Sequence, residues 1–568
     1  MVELNPKYLE DLPLTSYSDN STELLRTGTW KYVQPTYEDK LPACSHLCPA
    51  GNDISKAMDL VARGQLDAAA RLWRSANPLP ATLGRVCPHP CESECNRNAF
   101  GGAIAIHAME RFLGDRSFDP AFLPERAPST GKKVAVVGGG PAGIAAAYNL
   151  ALAGHGVEVL DDKPAPGGYL RTGIPDYRLP REILDREIAL VEHAGVTFTC
   201  GTRVGRDVGL DELRERFDAV IVAVGFHRAR PLGVPGEDHP HVFNGVELLE
   251  RILLGERPEL PRRMAVVGGG NTAMDVARSL LRIGVEPVVV YRRSKLEMPA
   301  IPAEVDEAMA EGIEFNFLTA PSRVVVEDGR VTGLECVKMK LGEPDESGRR
   351  RPVPVEGSEF VVPVDGVVTA IGESADLEFL PEAARDGWRV AADARLVTPE
   401  EGVFAAGDVV SGAGTVTAAV GEGRRVAAVV HTWLTRGSLP DEAPPVQGLW
   451  DRPVNLDRTV YVEQLNPAYF TEVPRPELPE LDPVERRSSF AEVMGGFTEA
   501  EAVAEARRCL VCGTCNECCN CLYFCPDVAI ARRGDAFGFD IDADHCKGCG
   551  ICVEECPRDA LSLMEVKS

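Results

Sequence analysis

The sequence predicts an α/β protein in which one nucleotide-binding fold is nested inside another and small cysteine-bearing domains stand at both ends. Two stretches, beginning near residues 133 and 263, repeat the order of buried strand, glycine-rich turn, helix and second strand. Of the 18 cysteines, five lie between residues 44 and 95 and eleven between 509 and 556. The repeated order is typical of parallel sheets built from βαβ units, and clustered cysteines indicate metal ligation.

The first glycine-rich stretch, residues 133–168, meets the requirements of a dinucleotide site. Its turn reads Gly138-x-Gly140-x-x-Gly143. In such a turn the first glycine permits a tight bend, the second admits a pyrophosphate, and the third lets helix and strand pack closely. Asp161 follows Gly143 by 18 residues, close to the ~20 expected for a carboxylate that holds a ribose. A glycine-rich turn of another α/β domain is the alternative. The predicted elements are a strand over 134–137, a helix over 145–153 and a strand over 157–160.

The second stretch repeats this order from residue 263, with Gly268-x-Gly270-x-x-Ala273 as its turn. Its second strand ends in Arg292 and Arg293 rather than in an acid. Two guanidinium groups at this place suit a 2′-phosphate, which favours NADP(H) over NAD(H). A solvated basic turn is the alternative interpretation.

Three further segments are assigned to the first fold. Residues 217–225, 365–372 and 402–408 read as strands, and a helix is expected to begin within 412–425. Asp408 stands where a carboxylate could accept a hydrogen bond from a flavin ribityl chain, and the helix N-terminus beyond it would stabilise negative charge on the flavin. An ordinary turn residue is the alternative for Asp408.

Length and charge limit the class of protein. At ~150 residues per domain, 568 residues predict about four domains. The net charge of −26 argues against nucleic acid as a partner and permits a partner with a basic face. The N-terminus lacks the apolar core of a signal peptide, and no apolar run approaches ~18 residues. We therefore expect a reduced, cytoplasmic protein that does not bind membranes, and a homodimer is compatible with the sequence.

The C-terminal cysteines carry the most specific pattern. The run Cys515-x2-Cys518-x2-Cys521-x3-Cys525-Pro is followed by Cys546-x2-Cys549-x2-Cys552-x3-Cys556-Pro. This is the spacing of two-cluster bacterial ferredoxins, in which the fourth cysteine of each run ligates the other cluster. We expect one [4Fe–4S] cluster on Cys515, Cys518, Cys521 and Cys556, and another on Cys525, Cys546, Cys549 and Cys552. Zinc is the alternative metal.

The N-terminal cysteines are less regular. Residues 41–125 read as a small helical domain, with helical stretches over 54–75 and 103–113. Its five cysteines are too many for one cubane and too few for two, so other ligands must contribute. The N-terminal cysteines are Cys44, Cys48, Cys87, Cys91 and Cys95.

Residues from about 40 to 435 resemble the small subunit of bacterial glutamate synthase and the flavin portion of dihydropyrimidine dehydrogenase. The shared motifs are NPLP-x3-GRVCP, VVGGGPAGIAAA, GIPDYRLP, VVGGGNTAMDVA, YRRSKLEMPA, GEPDESGRRRPVP and GVFAAGD. The resemblance implies FAD in the first fold and NADPH in the second. Together with the motifs, it predicts nucleotide contacts at Gly138, Gly140, Pro141, Ala142, Gly143, Asp161, Gly168, Arg178, Gly225, Gly268, Gly270, Asn271, Thr272, Ala273, Arg292, Arg293, Gly372, Gly407, Asp408, Thr415 and Thr417.

One departure from the family concerns its N-terminal Cys-x2-Cys pair, which is missing before Cys44. The pair Cys509 and Cys512 looks like the same element moved to the far end of the chain. We hypothesise that it folds back and completes a cluster with Cys44 and Cys95. A free thiol pair or a structural site is the alternative.

The family also implies a second N-terminal cluster on Cys48, Cys87 and Cys91, with an oxygen ligand at the position of Glu110. A surface glutamate is the competing view of that residue. Four clusters would then be present in all. Cys200, Cys336 and Cys519 remain and are interpreted as packing residues.

The predicted function is electron transfer between NAD(P)H and an external protein through FAD and the clusters. The family suggests acceptors such as ferredoxin, a 2-oxoacid oxidoreductase, an aromatic-ring reduction system or dissimilatory sulfite reductase. No catalytic acid–base residue is assigned, because the cofactors carry the chemistry. The predicted domains are an arm with a helical iron–sulfur domain (1–130), the FAD fold (131–260 and 365–440), the NAD(P)H fold (261–364), a linker arm (441–505) and a ferredoxin-like domain (506–568).

Three rival functions are weighed against this one. A thioredoxin-reductase-like enzyme needs a dithiol beside the flavin, and Cys200 and Cys336 are single and far apart in sequence. An enzyme with its own organic substrate would need a further barrel of ~250 residues, which residues 440–505 cannot hold. A non-catalytic relay subunit with vestigial nucleotide sites is disfavoured by the intact glycines of both folds.

Overall fold

The computed structural model describes residues 26–345, 348–412 and 414–566. The first 25 residues of the predicted arm, residues 346–347 within the GEPDESGRRRPVP stretch, residue 413 in the segment expected to begin a helix, and residues 567–568 of the ferredoxin-like domain lie outside the described part.

The N-terminal part is helical apart from two short strands. The stretch expected as a single helix over 54–75 is two helices, because Gly64 adopts a φ of +77° and ends the first of them. The elements are β1 (Val33–Tyr37), β2 (Lys40–Pro42), α1 (Ala43–His46), α2 (Ile54–Ala62), α3 (Leu66–Ala76), α4 (Pro80–Val86), α5 (Pro90–Ser93) and α6 (Ile106–Arg116).

The first nucleotide fold follows as a parallel sheet. Its central strands are valine-rich and buried on both faces, as strands covered by helices on both sides must be. The elements are β3 (Lys133–Val137), α7 (Pro141–Leu152), β4 (Gly156–Asp161), α8 (Tyr169–Thr172), α9 (Arg181–His193), β5 (Val196–Cys200), α10 (Leu210–Arg216), β6 (Ala219–Val222) and β7 (Arg228–Ala229).

The second fold is inserted after β7 and contains its own parallel sheet and an antiparallel hairpin region. Its elements are β8 (Val242–Asn244), α11 (Gly245–Leu253), β9 (Arg263–Val267), α12 (Asn271–Arg282), β10 (Glu286–Tyr291), α13 (Pro302–Ala310), β11 (Glu314–Phe317), β12 (Thr319–Glu327), β13 (Arg330–Pro344), β14 (Arg350–Pro354), β15 (Phe360–Val362) and β16 (Gly366–Thr369).

The assignment of residues 365–372 to the first fold is wrong. The strand β16 lies between β9 and β8 in the second sheet, where Val367 pairs with Ala265 and with Val242. The second fold therefore extends beyond the expected 261–364 on both sides. A short valine-rich strand is suited to the centre of either parallel sheet, so its composition did not identify its partners.

The chain then returns to the first fold and completes its sheet, in the order β20-β6-β3-β4-β5. The remaining elements of this part are β17 (Glu373–Ser374), β18 (Arg385–Asp386), β19 (Arg389–Val390), β20 (Val403–Ala405), α14 (Asp408–Ser411) and α15 (Val416–Arg436).

Residues 441–505 run along the outside of the helical N-terminal part. Arg452 forms ion pairs with Asp39 and Asp53, and the amide of Val473 donates to the carbonyl of Phe100 over 3.2 Å. This segment includes β21 (Asn455–Val460), which pairs with β2, then α16 (Pro483–Arg486) and most of α17 (Glu499–Arg508).

The C-terminal part is small and is joined to the beginning of the chain. Its last strand pairs antiparallel with β1, from Val33 opposite Glu565 to Tyr37 opposite Leu561. Its elements are α18 (Asn520–Tyr523), β22 (Ile530–Arg532), β23 (Phe539–Ile541), α19 (Ile551–Glu554) and β24 (Leu561–Glu565).

One hydrophobic core joins the helical part, the first fold and α17. The helix α15 packs closely on α7, since a Cβ on Gly423 would lie 2.2 Å from the carbonyl oxygen of Ala142. None of the described helices has both the length and the apolarity needed to cross a membrane.

Candidate nucleotide cleft and cysteine groups

A cleft of about 1740 Å³ lies between the two nucleotide folds. Both glycine turns line it, at the carboxyl ends of β3 and β9, where parallel sheets bind their ligands. A single small-molecule site occupies about 300–1,000 Å³. The cleft therefore has room for two nucleotides side by side.

The first glycine turn has the geometry of a pyrophosphate site. Gly138 has a φ of +107°, and a Cβ there would lie 2.4 Å from the carbonyl oxygen of Ala223. A Cβ on Gly143 would lie 1.9 Å from the oxygen of Gly138, whereas one on Gly140 would meet no protein atom within 4 Å. The open space above Gly140 lies at the N-terminus of α7, which begins with Pro141. Free N–H groups and the helix dipole favour a phosphate there.

Asp161 lines the cleft but also supports the glycine turn. Its Oδ2 accepts from the amide of Gly139 over 2.6 Å and its Oδ1 from the amide of Lys163 over 2.8 Å. Burial raises the pKa of Asp161, and these two bonds oppose the shift. The carboxylate thus holds the turn in shape and keeps lone pairs for a further hydrogen-bond donor.

The opposite end of the first site is formed by Asp408 and the start of α15. Thr415 caps this helix by accepting from the amide of Ala418 over 3.1 Å. Burial raises the pKa of Asp408 to about 6. Gly407, Asp408 and Thr415 line the cleft, whereas Thr417 lies behind its wall, and its hydroxyl faces the thiol of Cys87.

Tyr169 is a cleft residue that the sequence analysis missed. Its hydroxyl is buried without a hydrogen-bond partner among the described residues, and its ring stacks on His227 with centroids 5.5 Å apart. A buried hydroxyl that lines a cleft and has no partner fits a bound ligand that supplies one. The only sequence signal is its position directly after Gly168, a predicted contact that also lines the cleft.

The second glycine turn repeats the first. Gly268 has a φ of +152° and lies against Ala370, since a Cβ there would approach its carbonyl oxygen to 2.2 Å. A Cβ on Gly270 would again meet no protein atom within 4 Å. Asn271 begins α12 and accepts from the amide of Ile301 over 2.9 Å.

The two arginines at the end of β10 differ in their surroundings. Arg293 is buried, and its guanidinium pairs with Asp345 and donates to the carbonyl of Arg350. Arg292 is exposed, lines the cleft and forms no ion pair with any described residue. The structure thus leaves Arg292 available to a phosphate and uses Arg293 to hold the neighbouring hairpin.

The other predicted contacts also include residues that line the cleft and residues that only support its wall. Arg178 lines the cleft but is ion-paired with Asp275 and Glu304, at 2.9 and 2.8 Å. Gly143 and Ala273 are absent from the cleft wall because they pack their helices onto the strands. The predicted contacts that line the cleft are Gly138, Gly140, Pro141, Ala142, Asp161, Gly168, Arg178, Gly225, Gly268, Gly270, Asn271, Thr272, Arg292, Arg293, Gly372, Gly407, Asp408 and Thr415.

Sixteen predicted ligands form four groups, which we name by their position from the cleft outward. The inner group is Cys48, Cys87, Cys91 and Glu110. The fold-back group is Cys44, Cys95, Cys509 and Cys512. The middle group is Cys515, Cys518, Cys521 and Cys556. The terminal group is Cys525, Cys546, Cys549 and Cys552.

The inner group lies against the start of α15. A Cβ on Gly421 would lie 1.9 Å from the carbonyl oxygen of Pro49, so this helix touches the chain beside Cys48. Burial and the nearby carboxylate of Glu110 raise the pKa of Cys48 to about 11. The same two causes raise the pKa of Cys87.

Glu110 is 3% exposed, so the view of it as a surface glutamate is wrong. Its Oε1 accepts from the side-chain nitrogens of Asn52, Trp73 and Asn77 over 3.0, 2.9 and 3.0 Å. Its Oε2 faces Nε2 of His89 over 3.3 Å. The three donors offset part of the free-energy cost of burying a carboxylate, and the carboxylate lies near Cys48 and Cys87. These donors come from separate segments of the chain, so no local pattern in the sequence indicates them.

The fold-back group joins the two ends of the chain. Burial raises the pKa of Cys44, and the neighbouring thiols of Cys95, Cys509 and Cys512 raise it further. The helix α17 delivers the last two cysteines. Its buried Glu505 accepts from the amide of Ala105 over 2.7 Å, and its Arg508 donates to the carbonyls of Gly101 and Gly102.

The middle and terminal groups follow the spacing of the two C-terminal cysteine runs. Burial raises the pKa of Cys515 to about 11, with further contributions from Cys521, Cys556 and Cys518. Burial likewise raises the pKa of Cys552 to about 12, with contributions from Cys546, Cys525 and Cys549. Each run crosses to the other, as in two-cluster ferredoxins.

Adjacent groups share neighbours, so the four form a continuous series from the cleft to the far end of the chain. Thr417 links the cleft wall to Cys87, and Cys91 lies near Cys44. Arg558 lies near both the fold-back and middle groups, because its charge acts on Cys512 and on Cys556. Cys521 of the middle group lies near Cys552 of the terminal group.

The chemistry of these groups fits iron–sulfur clusters. Cysteine binds metal as the thiolate, and a cationic centre beside several packed sulfurs would favour that ionised form. Backbone amides already point at the sulfurs, from His89 to Cys87, Ala529 to Cys525 and Ala560 to Cys556, each over 3.3 Å. Among the described residues, no three potential ligands converge on one ion. A four-iron cluster binds each thiolate to a different iron, so its ligands need not converge in this way.

The three remaining cysteines stay outside these groups. Cys200 and Cys336 lie in different sheets, and no described cysteine lines the cleft. Cys519 has a φ of +70° at the start of α18, where the matching position before α19 is Gly550 with a φ of +81°. Arg532 donates to its sulfur over 2.7 Å, so Cys519 is more than a packing residue.

Three family models match the chain. Residues 132–423 match the pyridine nucleotide-disulphide oxidoreductase family. Residues 37–121 match dihydropyrimidine dehydrogenase domain II, 4Fe-4S cluster, and residues 539–562 match a 4Fe-4S binding domain.

Curated relatives match over most of the chain. The beta subunit of an NADP(+)-dependent formate dehydrogenase from Moorella thermoacetica is 41% identical over 84% of this chain and 71% of its own length. The beta subunit of an NADPH-Fe(3+) oxidoreductase from Geobacter sulfurreducens is 39% identical over 84% and 75%. The small chain of glutamate synthase [NADPH] from Escherichia coli is 36% identical over 69% and 89%.

Proposed function

Because the chain belongs to the pyridine nucleotide-disulphide oxidoreductase family, as a relative of the glutamate synthase small chain with added 4Fe-4S domains, we propose that it exchanges electrons between NADPH and a redox protein. It is an NAD(P)H-dependent iron–sulfur flavoprotein oxidoreductase. We further propose that its nucleotide is NADPH, that it holds four clusters and that its acceptor is a protein.

The observation that carries the proposal is the continuous series of four cysteine groups. It begins at Cys87, behind the cleft wall, and ends at Cys549, which is exposed on the protein surface. A flavin takes up two electrons from a nicotinamide and releases them singly when bound. A series of one-electron centres leading away from the cleft is what such a release requires.

The chain's own residues orient the two nucleotides. The turn at Gly140 and the start of α7 would hold the FAD pyrophosphate, with Asp161 at the ribose and Asp408 at the ribityl end. The turn at Gly270 and the start of α12 would hold the second nucleotide. Arg292 supports NADP(H) over NAD(H), because a free guanidinium at this place suits a 2′-phosphate.

We assign one [4Fe–4S] cluster to each cysteine group, with Glu110 as the oxygen ligand of the inner one. This assignment is supported by the composition of the groups, since thiolates are the usual ligands of iron–sulfur clusters. The acceptor is a protein with a one-electron centre. The candidates are a ferredoxin, a 2-oxoacid oxidoreductase, an aromatic-ring reduction system and dissimilatory sulfite reductase. A partner subunit like those of the formate dehydrogenase and Fe(3+) oxidoreductase relatives is a further candidate.

Anaerobic addition of NADPH to the isolated holoprotein tests the proposal. We expect loss of the visible flavin absorbance, followed by bleaching of the broad iron–sulfur absorbance, without any partner present. A non-catalytic relay subunit would show neither change with NADPH but would still be reduced by dithionite. That result would refute the proposal.

A further inference from the structure

The series of cysteine groups ends at one face of the C-terminal part. Cys549 is exposed, whereas Cys546 and Cys552 of the same terminal group are buried. Electron transfer weakens steeply with distance, and Cys549 brings the last group of the series to the surface, where an acceptor can come close. The surroundings of Cys549 therefore determine which acceptor can approach.

Exposed apolar side chains lie on the segments that pack against the two glycines flanking Cys549, or directly follow them. Tyr32 is 88% exposed, Leu563 44% and Ile551 38%. The chain at Lys31 and Val33 lies directly against Gly548, and Leu563 lies 3.3 Å from the Cβ position of Gly550. We call the surface formed by these three apolar side chains and Cys549 the terminal face. Exposed apolar groups collected at one place mark a site of protein association.

The rim of the terminal face is acidic. Glu554 and Glu565 are exposed and form no ion pair with any described residue. Of the two nearby lysines, Lys547 is paired with Asp527 over 3.3 Å, whereas Lys31 donates to the carbonyl of Ala543 over 2.6 Å and keeps its charge. The whole chain carries a net charge of −26. Complementary charge steers encounter and suppresses wrong partners.

We propose that the terminal face is the docking site for a basic one-electron carrier protein. Such a partner presents an apolar patch over its redox centre and a rim of lysine or arginine. The apolar centre excludes water and shortens the distance between the centres, while the acidic rim orients the partner. This inference rests on the proposed function, because it names the partner at the end of the same series.

Ferricytochrome c is a suitable probe, since it is a small basic protein with one exposed haem edge. Each NADPH oxidised to NADP+ and H+ delivers two electrons, which reduce two molecules of ferricytochrome c. We expect the combined variant Tyr32→Ser and Leu563→Ser to lower the second-order rate about tenfold. Iron content and the rate of flavin reduction by NADPH should stay unchanged. Leu296→Ser is the matched control, because Leu296 is 89% exposed on the second fold.

A charge test separates a basic partner from a merely apolar one. Glu554→Lys with Glu565→Lys should lower the rate about tenfold at low salt and flatten its dependence on ionic strength. Glu356→Lys, an exposed position on the second fold, should have a much smaller effect. The proposal would be overturned if Glu356→Lys lowered the rate as much as Glu554→Lys with Glu565→Lys does. It would also be overturned if the terminal-face variants left the rate unchanged.

Two other occupants of the terminal face, residues 1–25 of the chain itself and a second copy of the chain, would give different experimental results. If removal of residues 1–25 raised the rate tenfold, the chain itself would cover the face, and the proposal would be wrong. If Tyr32→Ser converted a dimer into a monomer, the face would be an interface between copies, which would also overturn it. Should NADPH fail to reduce the flavin, the same variants are compared with dithionite-reduced protein. Failure of the proposed function and failure of the docking site are thereby distinguished.

Discussion

The hydroxyl oxygen of Tyr37 lies 3.1 Å from the sulfur of Cys521. Tyr37 stands on β1, near the start of the chain, and reaches the middle group because β1 pairs with β24. Its ring stacks on Phe539 with centroids 6.1 Å apart, and it also lies near Cys515 and Cys552. The N-terminal strand therefore places a hydroxyl between the middle and terminal groups.

The first prediction concerns this hydroxyl. A ligated sulfur is a thiolate, so the hydroxyl must donate, and such bonds raise cluster potentials. We expect Tyr37→Phe to lower the potential of the middle cluster by about 20–60 mV, which corresponds to about 0.5–1.5 kcal/mol for one electron. The measurement is a redox titration followed by electron paramagnetic resonance. Tyr523→Phe, an exposed tyrosine of the same part, should leave all potentials in place, and a shift of equal size there would contradict the assignment.

The second prediction concerns the fold-back group. Cys509→Ser should remove one cluster, about four of roughly sixteen iron atoms, while FAD stays bound. The reason is that α17 delivers Cys509 to Cys44 and Cys95 without touching the cleft. Iron analysis and flavin absorbance provide the measurement. Cys200→Ser is the control, and full iron content in Cys509→Ser would show that the fold-back group holds no cluster.

The third prediction concerns Glu110. Glu110→Ala leaves the donors of Asn52, Trp73 and Asn77 without their acceptor, and each buried unmet donor costs about 1–3 kcal/mol. We expect a clear fall in Tm and loss of the inner cluster. Glu110→Gln keeps an oxygen for these donors and should retain most of the stability. Thermal unfolding and iron content are measured together, and equal stability of both variants would contradict the role of the three bonds.

The fourth prediction concerns the choice of nucleotide. Arg292→Ala should raise KM for NADPH about tenfold to a hundredfold, since a hydrogen bond to a charged group contributes about 1.5–3 kcal/mol. KM for NADH should change little, because NADH has no 2′-phosphate. Arg262→Ala is the control, as this arginine is exposed at the opposite end of β9. A parallel loss with both nucleotides would speak against phosphate recognition by Arg292.

The fifth prediction is a pH dependence. Burial raises the pKa of Asp408 to about 6, so the carboxyl group is mostly protonated at pH 5 and mostly ionised at pH 7. A ribityl hydroxyl donates best to the ionised form, so FAD affinity should rise up to about tenfold between these pH values. Titration of the flavin-free protein with FAD measures this change. Asp408→Asn should flatten the profile, whereas Asp386→Asn, an exposed position, should preserve it, and a flat profile in the unaltered protein would refute the role of Asp408.

Much of the site follows from local rules. The glycine turns could be predicted because their spacing between strand and helix is a local pattern, and the structure gives the reason for it in the positive φ of Gly138 and Gly268. The middle and terminal groups were identified because their spacing is set within short runs. The pairing of Cys509 and Cys512 with Cys44 and Cys95 came from the resemblance, as no local rule spans that separation.

The sequence by itself determined the two nucleotide turns, the ferredoxin-like cysteine runs and the class of electron-transfer chemistry, because each depends on residues close together in the chain. Only the tertiary structure decided that β16 joins the second sheet, that Arg292 is free while Arg293 is buried, and that Tyr37 reaches Cys521. These features depend on contacts between distant segments. Packing of the whole chain determines which strands pair, which residues are buried and which donors meet an acceptor. Such contacts leave no local pattern in the sequence.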